Sequence, residues 1–408
     1  MLLLPSSPRK KRSGYRLWRF LLPVLFLMVP HFVLGQEADS SRAFEVQGYF
    51  SEMPSALVQR IHEQWLVENE VHNRLNFFLY PLRGLKASLQ LRNRFIAGNY
   101  FDKVPSYAES FGGDRGVADL SFNIATGKHY VCNTQVDRLY LEYSGAHVDI
   151  TAGRQRINWA QTLVWNPNDI FNNYSFFDFD YIEKPGADAL RIQFYPGARS
   201  NIELDAKVDS SKKATLAGLV KMNLLNYDFQ LLAGVLHGRD LTLGLGWSGS
   251  IGGAAFRGEA GYYRPLKHFA DSQAIVQLSL GSDYSFSNSL LLQAEVLYSY
   301  NPYRQNIGSL LLYYAAPLSA ENLSFTDWNL FVQASYPITP LLNSSLALMS
   351  FPRVQGYYLG PSLSWSLASN LSLSGVVQIF SGRFMGIPGN SANRTTFSLS
   401  FLRLKFSF

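Results

Sequence analysis

Leu402-Arg403-Leu404-Lys405-Phe406-Ser407-Phe408 ends the chain. Leu402, Leu404, Phe406 and Phe408 share one parity, and Arg403, Lys405 and Ser407 share the other. Successive side chains of a β-strand point to opposite faces, so this strand has one apolar face and one polar face. The same alternation recurs upstream, in Asn201-Ile202-Glu203-Leu204-Asp205-Ala206-Lys207-Val208-Asp209 and in Arg138-Leu139-Tyr140-Leu141-Glu142-Tyr143. A single edge strand of a soluble sandwich would look alike, so the decision rests on the whole chain.

Turn chemistry breaks the alternation at regular intervals. Strands are expected near 43–50, 71–80, 84–97, 136–144, 146–158, 189–196, 200–209, 213–222 and 226–237. Others are expected near 241–249, 252–264, 273–286, 289–300, 327–337, 340–351, 355–367, 370–381 and 395–408. That is about 18, an even number as a single-chain membrane barrel requires, with 16 the other even count the boundaries allow. Counted from the side holding both chain ends, every second connection is brief. The long connections, 51–70, 98–135, 159–188, 301–326 and 382–394, all fall on the other side. The fold class is all-β: a transmembrane antiparallel up-and-down β-barrel, in which closure satisfies every backbone hydrogen bond in lipid.

The N-terminus agrees with export. Arg9, Lys10, Lys11, Arg12, Arg16 and Arg19 precede an apolar run from Phe20 to Leu34 that holds Pro23 and Pro30. The pattern predicts a signal peptide over 1–35 and a barrel domain over 36–408. The formal charge of +6 then belongs to the signal, because removing its six cations leaves 30 basic residues against 30 acidic. A basic nucleic-acid surface is not implied. Aromatic residues make up 14% of the chain and charged ones only 16%, which suits a wall facing lipid on one side. Cys132 is the only cysteine, so an internal disulfide is excluded.

Parity also assigns the inner face. Arg74, Arg92, Arg94, Arg138, Glu142 and Arg191 are expected to line the lumen. The third long connection carries Asp178, Asp180 and Glu183 among many rings, including Trp159, Trp165, Phe171, Phe176, Phe177 and Phe179. A solvated loop has no use for so many rings, whereas a loop folded into the lumen would bury them. Wall arginines would then face loop carboxylates across a constriction selecting solutes by sign and size. The same pairs could instead only brace the loop, and both roles are compatible. Alternation changes phase around Gly153, which predicts a β-bulge at Gly153 or Arg154 that re-aims Arg154 toward the lumen.

Several blocks resemble porin-like outer-membrane barrels of Gram-negative bacteria. They are His72-Asn73-Arg74-Leu75-Asn76-Phe77, Leu91-Arg92-Asn93-Arg94-Phe95, Gly153-Arg154-Gln155-Arg156-Ile157-Asn158-Trp159 and Asn166-Pro167-Asn168-Asp169-Ile170-Phe171. The resemblance covers roughly residues 70–195 and implies a third loop folded inward. It implies location in the bacterial outer membrane and passive passage of small hydrophilic solutes. It also implies Phe406 and Phe408 as an assembly signal for the barrel-assembly machinery, outer-membrane lipid as a partner, and compatibility with a homo-oligomer. A structural or docking barrel of an envelope complex is the alternative. An outer-membrane hydrolase is disfavoured, because no Gly-x-Ser-x-Gly sequence occurs. No phosphate loop or metal-ligand spacing is present, so neither cofactor nor metal is implied.

Overall fold

Strands that alternate over nine or more residues cannot pair in water without exposing their apolar face, so they close on one another and turn that face to lipid. The computed structural model describes residues 43–59, 65–104, 106–172, 175–179, 186–197, 199–304, 319–384 and 393–408. The expected signal, residues 1–35, lies outside them, as do Asp180 and Glu183. The first strands are β1 (Phe44–Val58), β2 (Leu66–Leu82), β3 (Leu85–Gly98), β4 (Ser121–Thr126), β5 (Tyr130–Ser144), β6 (Val148–Gln155) and β7 (Ala187–Gly197). Then come β8 (Ser200–Val208), β9 (Ala214–Leu224), β10 (Tyr227–Leu236), β11 (Asp240–Ile251), β12 (Ala254–Pro265) and β13 (Ile275–Ser285). The last are β14 (Leu291–Tyr300), β15 (Trp328–Thr339), β16 (Leu342–Phe351), β17 (Gly356–Ala368), β18 (Leu371–Phe384) and β19 (Asn393–Ser407). Two one-turn helices, α1 (Tyr100–Lys103) and α2 (Tyr107–Ser110), lie between β3 and β4.

All pairings are antiparallel, and β19 returns to β1 from Val58↔Ser398 to Tyr49↔Ser407. The result is a closed barrel of 18 strands, with β4 as an extra strand on the upper edge of β5. Burial is inverted relative to a soluble protein. Leu141, Leu204, Leu216, Leu363 and Leu402 are exposed on the outside, while Glu203, Asp205, Glu259 and Gln277 are fully buried inside. A continuous apolar surface of this size needs hydrocarbon around it.

The register makes neighbouring residues respond differently. Leu204 is 54% exposed on the outer face and Asp205 is buried on the inner one. Leu204→Arg should destabilise the folded barrel by about 2–4 kcal/mol near mid-membrane. Asp205→Asn should fold like the parent. Urea unfolding from lipid vesicles measures both, and an equal loss in the two variants would contradict the register.

Three local departures from the sequence pattern have physical causes. β1 and β2 extend well into the connection expected at 51–70, pairing from Ser51↔His72 to Leu57↔Leu66. There Met53 and Leu57 are both buried inside, Leu57 in an apolar core. Beyond the lipid band no rule holds polar residues inside, so the alternation loses its usual meaning. Inside the second long connection, β4 pairs with β5 from Ser121↔Gln135 to Thr126↔Val131. No bulge occurs at Gly153: β6 pairs without a slip from Ser144↔Asp149 to Leu139↔Arg154 and from Val148↔Phe194 to Gln155↔Ala187. Gly153 takes φ +118°, where a Cβ would stand 2.3 Å from the Leu139 carbonyl oxygen, and the apolar residues change parity only at Ile157 and Trp159, after the chain has left the wall at the end of β6. An extra residue sits instead on the neighbouring strand β5. Gln90 pairs with Arg138 and Leu91 with Val136, which leaves Asp137 as the bulge.

Candidate functional site

The segment after β6 leaves the wall at Arg156 and runs through the lumen. Its path is set by three wall glutamates. Glu203 on β8, Glu259 on β12 and Glu295 on β14 each alternate onto the inner face and are 0%, 0% and 4% exposed. Glu259 accepts hydrogen bonds from the backbone N–H groups of Gln161, Thr162 (2.9 Å) and Asn168 (2.8 Å). Glu295 accepts from those of Leu163 (2.8 Å), Val164 (3.0 Å) and Trp165 (2.8 Å), and from the Ser279 hydroxyl (2.9 Å). Residues 161–165 thus turn five successive amides toward two carboxylates. A chain without regular structure must place its buried amides somewhere, and a fixed anion is a strong acceptor. Each such charge-assisted bond contributes about 1.5–3 kcal/mol, which offsets the cost of burying the carboxylates.

Glu203 anchors the start of the segment. It accepts from Trp159 Nε1 at 2.7 Å and from Arg191 through two bonds of 2.9 Å. Gln230 donates to the Trp159 carbonyl (2.9 Å), and Lys207 donates to the Phe171 carbonyl (2.8 Å). Asn168 fits against the wall only because residue 244 is glycine: a Cβ there would lie 2.4 Å from Asn168 Oδ1. The excursion closes on itself, since Asn172 Oδ1 accepts from the Ile157 amide at 3.1 Å and the Trp159 and Phe171 rings meet at 4.9 Å.

The segment then crosses to the C-terminal strands. Phe176 meets Phe331, and Phe177 meets Tyr358 and Phe380, all at about 5 Å between ring centroids. Leu323 and Phe325, between β14 and β15, join the same core. Gln378 donates to the Phe177 carbonyl (2.9 Å) and Arg403 to that of Phe179 (3.0 Å). The outer end of the C-terminal lumen is therefore filled by rings. Toward the short turns the inner face becomes polar, with Gln293, Ser345, Ser362 and Lys405.

The opposite wall is basic. Arg74, 1% exposed, pairs with Asp137 and donates to Gln90 at 2.7 Å. Arg92 lies 3.8 Å from Glu70 and 3.3 Å from His72 Nε2. Arg94 donates to Asn133 (2.9 Å) and stands 5.1 Å over the Phe111 ring. Arg138 donates to the Asp137 carbonyl (2.8 Å), and Glu142 faces Lys86 across the strand pair. Arg154 is set apart from this group. It fills the gap above the end of β6, donating to Asp188 (2.6 Å and 2.9 Å), Asp114 (2.6 Å) and the carbonyls of Ala118 (2.8 Å) and Val136 (3.2 Å). Its partners belong to the wall and to the second long connection. Asp178 is half-buried on the lumenal segment.

Two features escape a reading confined to the N-terminal strands. Glu259 shares parity with Arg257 and Tyr263, and Glu295 with Gln293 and Ser299, so both carry the inward signature. Asp137 has no such signal, because its orientation depends on the bulge. Outside the membrane band, burial and the Glu68 carboxylate push the Tyr107 phenol well up, and Tyr107 donates to Glu68 at 2.6 Å. Burial and the neighbouring Asp240 carboxylate push Glu321 up to about 7, with Arg239 at 3.3 Å opposing them. Among the described residues, no group of three or more His, Cys, Asp or Glu is placed to hold a metal ion.

No family model matches the sequence, and neither does any curated protein. Solved structures do match. OpdL of Pseudomonas aeruginosa is similar at 9% identity over 90% of this chain and 98% of that one, with a TM-score of 0.56. OccAB4 of Acinetobacter baumannii is 8% identical over 89% and 98% of the two chains, with a TM-score of 0.55. OpdQ of Pseudomonas aeruginosa is 8% identical over 90% and 99%, also with a TM-score of 0.55. The likeness runs nearly end to end in both partners and lies in the fold rather than in individual residues. The chain has the fold of the porin-like outer-membrane barrels that its sequence resembles.

Proposed function

We propose that this protein is an outer-membrane channel through which small hydrophilic solutes diffuse, with the segment after β6 as its constriction. The observation that carries the reading is that segment, laid through a closed transmembrane barrel and held by Glu203, Glu259 and Glu295 opposite a basic wall. Solutes would pass between the two, along Arg74, Arg92, Arg94, Arg138, Glu142 and Arg191. Fixed charge at a narrow water path selects by sign, and five of these six side chains are cations. Residues 1–35 would direct export, and the strand ending in Phe406 and Phe408 would engage the assembly machinery. No catalytic step enters this reading. The ring-filled C-terminal half favours one other reading, a docking barrel without conductance.

Purified protein in a planar bilayer under a salt gradient separates the two. Discrete conductance steps with a reversal potential on the anion side are expected. Arg92→Gln with Arg94→Gln should move that potential toward the cation side. A folded protein giving no steps would support the docking barrel. Steps whose selectivity ignores both substitutions would remove the arginines from the path.

A further inference from the structure

The connection between β14 and β15 returns to the lumen over residues 319–327, and its two ends are held differently. At Asp327 the backbone carbonyl accepts from the Ser299 amide (2.7 Å), and the carboxylate pairs with Arg304 and with Arg353 (3.0 Å). Ser324 and Thr326 both donate to Asn329 Oδ1 at 2.5 Å. Leu323 and Phe325, both buried, fill the outer end of the C-terminal lumen. The other end rests on Ala320, buried in one cluster with Tyr263 and Ile275, and on Glu321. Asn301 donates to the Glu321 carbonyl (3.0 Å). The Glu321 carboxyl lies within hydrogen-bond reach of the Asp240 carboxyl at the start of β11. These two side chains are 14% and 3% exposed. Two carboxylates this close and this shielded from water repel unless one of them holds a proton.

We propose that residues 319–327 form a pH-sensitive latch on the outer mouth of the lumen, closed while Glu321 and Asp240 share a proton and loosened once both are ionised. Burial first, and the Asp240 carboxylate second, push the Glu321 carboxyl up to about 7 from the ordinary 4.5, with Arg239 opposing them. Arg239 cannot cancel the repulsion, because it is 58% exposed and its Nε already donates to Asp240 at 2.5 Å. The other groups facing this corner do not replace the proton. Tyr263 of β12 lies in electrostatic range of Glu321, Glu259 and Asp169, which makes the inner side acidic. In the turn before β11, burial pushes the His237 imidazole down, Lys207 adds to this, and Asp209 at 3.3 Å opposes it. Lys267 and His268 are exposed on the connection after β12, whose Leu266 amide donates to the Arg239 carbonyl (2.8 Å). A carboxyl that holds its proton more tightly docked than released favours docking fully below about 4.5, and that stabilisation is lost as pH rises through about 7. The mouth is therefore tightest in acid. Its effect on solute flow rests on the channel reading proposed above.

Amide hydrogen exchange of the folded protein in lipid vesicles, corrected for the intrinsic pH dependence of exchange, tests this without requiring conductance. Protection of amides 320–326 is expected to fall about tenfold or more between about pH 5 and about pH 8, while β11 and β14 keep theirs. Glu321→Gln cannot ionise and should hold the segment at its acid-state protection at both pH values. Asp240→Asn should shrink the shift, because it removes the carboxylate that Glu321 faces. His237→Gln should leave the shift intact. A heat-modifiable band on a gel confirms that each variant is folded. A parent without the shift, a shift that survives Glu321→Gln, or one abolished by His237→Gln would overturn the latch. In planar bilayers the parent should give larger conductance steps at the higher pH, and Glu321→Gln should remove the difference. Steps of equal size at both pH values would overturn the gating of the mouth. An exchange shift in a protein that gives no steps at either pH refutes the channel and spares the latch.

Discussion

Arg154→Met is expected to be the most damaging single substitution in the wall, at about 3–5 kcal/mol of folded-state stability. The side chains of Arg154, Asp114 and Asp188 are 4%, 5% and 12% exposed. Removing the guanidinium leaves two carboxylates buried without their cation and two backbone carbonyls without a donor. Methionine replaces the volume, so the loss reports the charge and hydrogen bonds rather than a cavity. Asp114 also shapes the segment 114–120 that covers Arg154, accepting from the amides of Gly116 (2.7 Å) and Leu120 (2.8 Å). Repulsion between the abandoned acids should therefore release residues 114–120 and expose them to protease before the barrel unfolds. Arg154→Lys keeps the charge but cannot reach all four partners, and should fall between. Urea titration from vesicles, read beside limited proteolysis, gives both numbers. A methionine variant as stable as the parent would show that residues 114–120 are held by backbone pairing alone.

The seam between the first and last strands should be nearly as sensitive. Gly48 and Phe408 exchange both backbone hydrogen bonds at 2.9 Å. A Cβ on Gly48 would stand 2.4 Å from the Arg74 carbonyl oxygen and 2.9 Å from the Phe408 ring. Backbone cannot yield as a side chain can, so Gly48→Val should push the closing strands apart. We expect a loss of about 1–3 kcal/mol in the folded barrel, and a lower assembly yield because the first and last strands pair there. Deleting Phe408 should lower the yield too, since it removes the partner of Gly48 and the ring beside Phe406. The heat-modifiable fraction in membranes measures both, and normal yield from both variants would remove the seam from assembly.

The barrel is legible in the sequence because lipid imposes a strict rule. Wherever a strand crosses hydrocarbon, its outer parity must be apolar, and Leu139-Tyr140-Leu141 or Ile202-Glu203-Leu204 obeys without exception. Where that rule stops, legibility stops. Met53, Leu57, Phe397 and Leu399 are apolar and point inward at the loop end, so strand limits there are hidden. The lumenal segment is legible in kind, from its rings. Its attachments are not, because they join side chains such as Glu259 and Glu295 to backbone amides more than 90 residues away. An amide leaves no signature in the residue that bears it. Arg154 shows the same limit: nothing in its own strand foretells that Asp114 and Ala118, in the second long connection, meet its guanidinium.

The central claim, that the segment after β6 restricts the lumen, is tested most directly by single-channel conductance after removing Ala160–Ile170. The Trp159 and Phe171 rings meet at 4.9 Å, so a short glycine linker is used to join the two residues. Heat modifiability should remain that of the parent, because the wall strands are untouched. Conductance is expected to rise severalfold. Glu259→Gln with Glu295→Gln, which weakens the hold on residues 161–168, should give an intermediate or fluctuating level. An unchanged conductance in a correctly folded deletion variant would contradict the constriction and place the barrier elsewhere in the barrel.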